Sequence, residues 1–141
     1  MSNNTSSIVS KVWSFCNPLR DVGVGYGDYL EQLTYLLFLK MADEYGKPPH
    51  NRVLNIPKTY NWESLTAKKG AELELHYATL LRELSTQKGI LGQIFTKSQN
   101  KIQDPAMLAK IIDMIDSEQW LVMGADVKGD IYEKLLEQNA Q

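Results

Sequence analysis

A chain of 141 residues, 43% of them hydrophobic, is long enough to close one core without help from disulfides or metals. Its 15 basic and 17 acidic side chains leave a net charge of −2, so it lacks the basic excess of a stand-alone nucleic-acid binder, whose affinity comes mostly from neutralised phosphates. Any contact with nucleic acid therefore has to come from a local patch or from a larger assembly. The lone cysteine, Cys16, rules out an internal disulfide and a thiolate zinc site; beside Trp13 and Phe15 it reads as a buried free thiol in a reducing compartment. The opening MSNNTSS shows no signal peptide, and the most apolar stretch, Leu33 to Leu39, falls far short of the ~20 residues of a membrane span. A cytoplasmic protein with no membrane partner is expected.

Disorder is expected only over residues 1–7. Ile8, Val9, Val12, Trp13 and Cys16 recur at spacings of three and four, which predicts a first helix over residues 5–17, ended by Pro18. Asp21 to Gly27 is glycine-rich and reads as a loop. Asp28 and Glu31 then have the spacing of a capping box, opening the strongest helix of the chain. Its stripe is Leu30, Leu33, Leu37 and Met41, widened by Leu36 and Phe38, and Gly46 with Pro48-Pro49 stops it.

Residues 47–61, with Pro48, Pro49 and Pro57, form a long connection, and Trp62 to Leu65 reads as a short helical turn. A helix from about Lys69 to Gln87 presents Leu73, Tyr77, Leu80, Leu81 and Leu84 on one face. Gly89 breaks it, and Ile90 to Phe95 forms another short helix. Asp104-Pro105 places a capping side chain before a proline in the first helical position; Met107, Leu108, Ile111, Ile112 and Ile115 pack the helix that follows. A last helix is expected over Val127 to Asn139. Val53-Leu54-Asn55-Ile56 is the one tolerable strand candidate. The expected fold is all-α: a compact helical bundle, one domain over residues 1–141, with a long proline-containing connection and no substantial sheet.

Candidates for chemistry are few. His50 and His76 lie far apart with no carboxylate or cysteine at metal-ligand spacing near both, and no nucleophilic serine or cysteine arrangement is visible. No catalytic, cofactor-binding or metal-ligating residue is assigned. The basic residues offer more: Lys68 and Lys69 precede a helix, while Lys97, Asn100 and Lys101 cluster in a polar loop where phosphate or subunit contacts are conceivable. Lysines in loops are more often simply solvated. Trp13, Trp62 and Trp120 read as core anchors rather than base-stacking platforms.

Four strings carry a resemblance. Asp28 to Glu44 (DYLEQLTYLLFLKMADE), Gly89 to Phe95 (GILGQIF), Asn100 to Leu108 (NKIQDPAML) and Asp126 to Glu137 (DVKGDIYEKLLE) resemble the helical N-terminal domain of the modification (M) subunit of type I restriction–modification DNA methyltransferases. The match runs in order from Val12 onward, and separated strings in order are far more specific than any one alone.

The resemblance implies a parent enzyme that moves a methyl group from S-adenosylmethionine to an adenine amine in DNA. It implies two M subunits with one specificity (S) subunit, joined by a restriction (R) subunit for cleavage. This helical domain would help clasp double-stranded DNA within the assembled complex and contact neighbouring subunits. The cofactor and the catalytic domain would lie outside this stretch, which is expected to be non-catalytic. Two local strings do not contradict that. Asn17-Pro18-Leu19-Arg20 lacks the second proline and the aromatic ring of an amino-methylating motif. Gly23-Val-Gly-Tyr-Gly27 follows a helix instead of the strand a cofactor loop needs. Two other readings stay open: a protein–protein adaptor using an apolar patch around Tyr29, Tyr35 and Leu36, or a stand-alone helical regulator without DNA contact.

Overall fold

The computed structural model describes residues 10–48, 51 and 56–120, and all their regular structure is helical. After a helical turn at residues 10–13 come α1 (Cys16–Asp21), α2 (Tyr26–Tyr45), a 3-10 turn (Lys58–Tyr60), α3 (Trp62–Thr66), α4 (Gly70–Ser85), α5 (Ile90–Ile94) and α6 (Pro105–Asp116). Among the described residues no helix is long and apolar enough to cross a membrane. The helix expected over 127–139, the residues 1–7 and most of the strand candidate (Val53 to Asn55) lie outside the described residues; Ile56 belongs to no strand.

The first helix differs from its sequence pattern. It breaks at Ser14 and Phe15, and Pro18 sits inside α1 instead of ending a helix. Phe15 is the N-cap, and the first amide to bond its carbonyl is that of Leu19. Pro18 therefore occupies a first-turn position whose N–H would have no helical partner, and its ring costs no hydrogen bond. α1 closes in a Schellman turn: Val24 N–H reaches the Leu19 carbonyl and Gly23 N–H the Arg20 carbonyl. Gly23, at φ 91°, supplies the left-handed residue that this turn requires. Leu19 and Val24, which frame it, are both buried.

α2 begins at Tyr26 with Gly25 as N-cap, so Asp28 lies in the first turn and the expected capping box is absent. There its carboxylate faces the positive end of the helix dipole, a favourable place without a side-chain cap. The earlier start carries Tyr29 into the core, where its hydroxyl donates to the Val12 carbonyl at 2.8 Å. Tyr29, Tyr35 and Leu36 are 1%, 6% and 0% exposed, so the apolar surface patch proposed around them does not exist. Tyr35 instead stacks on Phe95, with Phe38 edge-on to the same ring.

Asn61 caps α3 by accepting from the Ser64 amide, and Asp104 caps α6 by accepting from the Ala106 and Met107 amides, with Pro105 at the first helical position. The predicted α4 stripe is the centre of the core: Leu73, Tyr77, Leu80, Leu81 and Leu84 are essentially without solvent contact. They pack on Leu108, Ile111, Ile112 and Ile115 of α6. Burying a leucine fully contributes about 2 kcal/mol, so this seam dominates the stability of the bundle. Trp62, Trp120 and Cys16 are buried as expected; Trp13 is half-buried, its indole N–H without a hydrogen-bond partner among the described residues.

An ionic cluster crosses the bundle. Lys40, 8% exposed, places Nζ 3.6 Å from Glu44 Oε2 and 3.6 Å from Asp116 Oδ1. The Trp62 indole donates to Asp116, and the Trp120 amide donates to Glu44. A lysine that ends an apolar run in sequence thus becomes the buried tie between α2 and the end of α6.

Candidate functional site

The loop between α5 and α6 carries Lys97, Asn100 and Lys101. Its inward positions are anchored one by one. Ser98 donates its amide to the Phe95 carbonyl and its hydroxyl to the Leu81 carbonyl of α4, each at 3.0 Å. Gln32 of α2 donates its side-chain amide to the Gln99 carbonyl at 2.9 Å. Asn100 accepts from the Ile102 amide through Oδ1 at 2.8 Å, and Ile102 is fully buried. Between these anchors Lys97 and Lys101 are exposed. Lys97 has φ 56°, a left-handed conformation that costs a non-glycine residue roughly 1–2 kcal/mol and is held by the bonds around it. The result is two lysines projected from a backbone with little freedom.

Asn100 differs from the lysines. Its Oδ1 closes a local turn, so part of its polar capacity is spent on loop shape.

Lys68 and Lys69 lie elsewhere. They line a cleft of about 210 Å³ between α3, α4 and α6, together with Leu65, Leu73, Ile112 and Asp113. Lys68 is half-buried, and its ammonium lies 3.5 Å from the Ser64 carbonyl; Lys69 is exposed and serves as N-cap of α4 without a side-chain bond. Lys68 and Lys69 precede the start of α4, whereas the anchored loop is held at Leu81 near its end, so the two lysine sets sit towards opposite ends of this helix. From Lys69 to Leu81, which holds Ser98, is about 18 Å along the helix axis at 1.5 Å per residue. The five residues singled out in the sequence therefore form two separate basic places, not one patch.

Beside Lys68 the structure brings together a pair that the sequence did not reveal. His76 Nε2 lies 2.9 Å from Ser64 Oγ, and the imidazole stacks on Tyr60. The Ser64 hydroxyl gives its proton to the Asn61 carbonyl at 2.6 Å, so it accepts from His76. An imidazole that donates to a serine is not poised to remove its proton, and the pair fastens α3 to α4 instead of forming a nucleophile. Burial, followed by the nearby Lys68 charge, pushes the His76 pKa down, opposed by Glu72.

Among the described residues no three of His, Cys, Asp and Glu gather to hold a metal ion. Two features among the described residues lack the form of an S-adenosylmethionine site. The Gly23–Gly25 turn joins two helices, with no strand beneath it, and the Lys68–Lys69 cleft is smaller than the ~300 Å³ at which ligand pockets begin.

The family model described as the HsdM N-terminal domain matches residues 8–115. The chain belongs to this family. It is 33% identical, over 97% of its length, to the type I restriction enzyme StySJI methylase subunit of Salmonella typhimurium, and 34% identical over the same share to the EcoKI methylase subunit of Escherichia coli K12. It spans 26% of the length of each of these relatives. The crystal structure of the EcoKI M protein superposes with a TM-score of 0.68 at 29% identity, covering 84% of this chain and 24% of that one. The HsdM N-terminal match takes in α1 to α5, most of α6, both lysine pairs and the anchored loop. The all-helical architecture of the described residues agrees with this kinship.

Proposed function

We propose that this chain is the non-catalytic helical domain of a type I restriction–modification M subunit. In the assembled enzyme it helps clasp the target DNA through Lys97 and Lys101, while contacting the S subunit and a second M subunit. The parent activity is methyl transfer from S-adenosylmethionine to adenine, with the cofactor held outside this stretch, and the R subunit joins for cleavage. The anchored loop is the observation that carries the reading. Two exposed cations on a backbone fixed by Ser98, Gln32 and Ile102 meet phosphates at little ordering cost. Lys68 and Lys69 supply a second, weaker contact at a distance.

Physical need supports such a clasp. Extruding a base from the duplex costs a few kcal/mol of stacking, which contacts around the site have to offset. A net charge of −2 keeps the domain from binding DNA indiscriminately, so its grip counts only within the assembly.

The test is charge reversal, Lys97→Glu with Lys101→Glu, in the M subunit assembled with its S subunit. Assembly is expected to survive. DNA affinity is expected to fall, with the slope of log K against log salt shrinking by roughly 0.9 per lost phosphate contact. Intact assembly with unchanged affinity and slope would sink the DNA reading. Loss of assembly alone would favour an adaptor.

A further inference from the structure

The basic loop is held from beneath by a polar relay that joins three distant parts of the chain. The Tyr77 hydroxyl on α4 donates to Gln32 Oε1 at 2.7 Å, and Gln32 Nε2 donates to the Gln99 carbonyl at 2.9 Å. Gln32 and Tyr77 are both 0% exposed. A carbonyl only accepts, so the amide nitrogen of Gln32 has to face Gln99, its oxygen has to face Tyr77, and the tyrosine has to donate. Burial keeps the Tyr77 hydroxyl protonated far above neutral pH, so the donor is always present.

A methionine or leucine would fill the volume of Gln32 in a core meant only for packing. An amide there is tolerated only because both its ends are paired, and one of those ends lies on the loop. That loop also contains the left-handed Lys97 and the Ser98 hydroxyl bound to α4. The relay therefore ends where backbone conformation is least able to set itself.

We propose that Gln32 is a positioning residue for the DNA contact: oriented by Tyr77, its amide fixes Gln99 and so the directions in which Lys97 and Lys101 leave the loop. This rests on the DNA reading of the two lysines. Gln32 touches no DNA itself.

The experiment uses Gln32→Met in the full chain, with Tyr77→Phe as the milder variant in case the first fails to fold. Amide exchange of Ser98 and Ile102, both hydrogen-bonded in the loop, is expected to accelerate at least tenfold while helix α4 keeps its protection. In the assembled methylase, Gln32→Met is expected to weaken DNA binding several-fold. In a Lys97→Ala/Lys101→Ala background the same substitution is expected to have no further effect. Additive losses, or loop amides that exchange as in wild type, would overturn the proposal, since a merely structural glutamine would weaken binding in either background. If the double alanine variant binds DNA like wild type, the DNA reading fails, and the exchange rates alone then judge the loop-fixing role of Gln32.

Discussion

The Trp62 indole N–H donates to Asp116 Oδ1 at 2.8 Å, and the same oxygen lies 3.6 Å from Lys40 Nζ. One carboxylate thus serves both an aromatic anchor from α3 and a buried cation from α2. Asp116 is half-exposed, which weakens the ionic part; the indole bond is the larger share of its worth. Asp116→Ala is expected to cost about 1–2 kcal/mol and Lys40→Met about 1–3 kcal/mol in urea unfolding. The double variant should fall short of the sum by at least ~0.5 kcal/mol, because the two changes remove one shared contact. Full additivity would show that the cluster does not act as a unit.

Gly92 lies in the short helix α5, where a Cβ would collide with the backbone carbonyl of Gln87. Backbone cannot yield as a flexible side chain can. Gly92→Ala is expected to destabilise by about 2 kcal/mol or more, against the usual gain from replacing a helical glycine. Asp104→Ala, which removes the α6 cap, should cost about 1 kcal/mol. Thermal unfolding of the two variants ranks them.

His76 provides a pH dependence whose sign is fixed by its surroundings. Burial first and Lys68 second lower its pKa below the ordinary 6.5, so the unfolded chain takes up the proton more readily than the folded one. Its contribution is therefore complete above pH 6.5 and is lost as pH falls through 6.5 towards the lower folded value. Stability measured between pH 7.5 and 5.5, as a difference between wild type and His76→Gln, is expected to shrink towards the acid end. Lys68→Ala should raise the His76 pKa in an NMR titration; a downward shift would contradict this account.

Cys16 is buried, and burial alone pushes its thiol up to about 11. Almost no thiolate exists at neutral pH, and the little that forms is shielded. A thiol reagent such as iodoacetamide is expected to label the native chain at least a hundredfold more slowly than the urea-unfolded one. Rapid native labelling would mean that the contact between α1 and α2 opens readily.

The parts of this fold that were legible in sequence are those written locally. The α4 stripe repeats within one helix, and the Asp104 cap needs only its next three residues; both are found where the sequence places them. Pro18 and Asp28 mislead in sequence because helix ends depend on where neighbouring residues are buried. Tyr29 drew the start of α2 back to Tyr26, past its apparent cap. Gln32 and Lys40 gave no signal, since each looks like an ordinary surface residue until partners 67 and 76 positions away are in place. Lys97 and Lys101 are candidates already in the sequence, as lysines of a polar loop; what the sequence does not show is the set of buried anchors on either side.

Trp120 ends the described chain with its amide on Glu44, its indole on the Ile115 carbonyl and its ring wholly enclosed. Such a residue behaves as a clamp. A pull or a twist arriving through the polypeptide beyond it is not dissipated in slack at this point but is passed directly to the C-terminal end of α2. A change in posture on the far side of the tryptophan would therefore be felt in α2, the same rod from which Gln32 reaches the lysine-bearing loop.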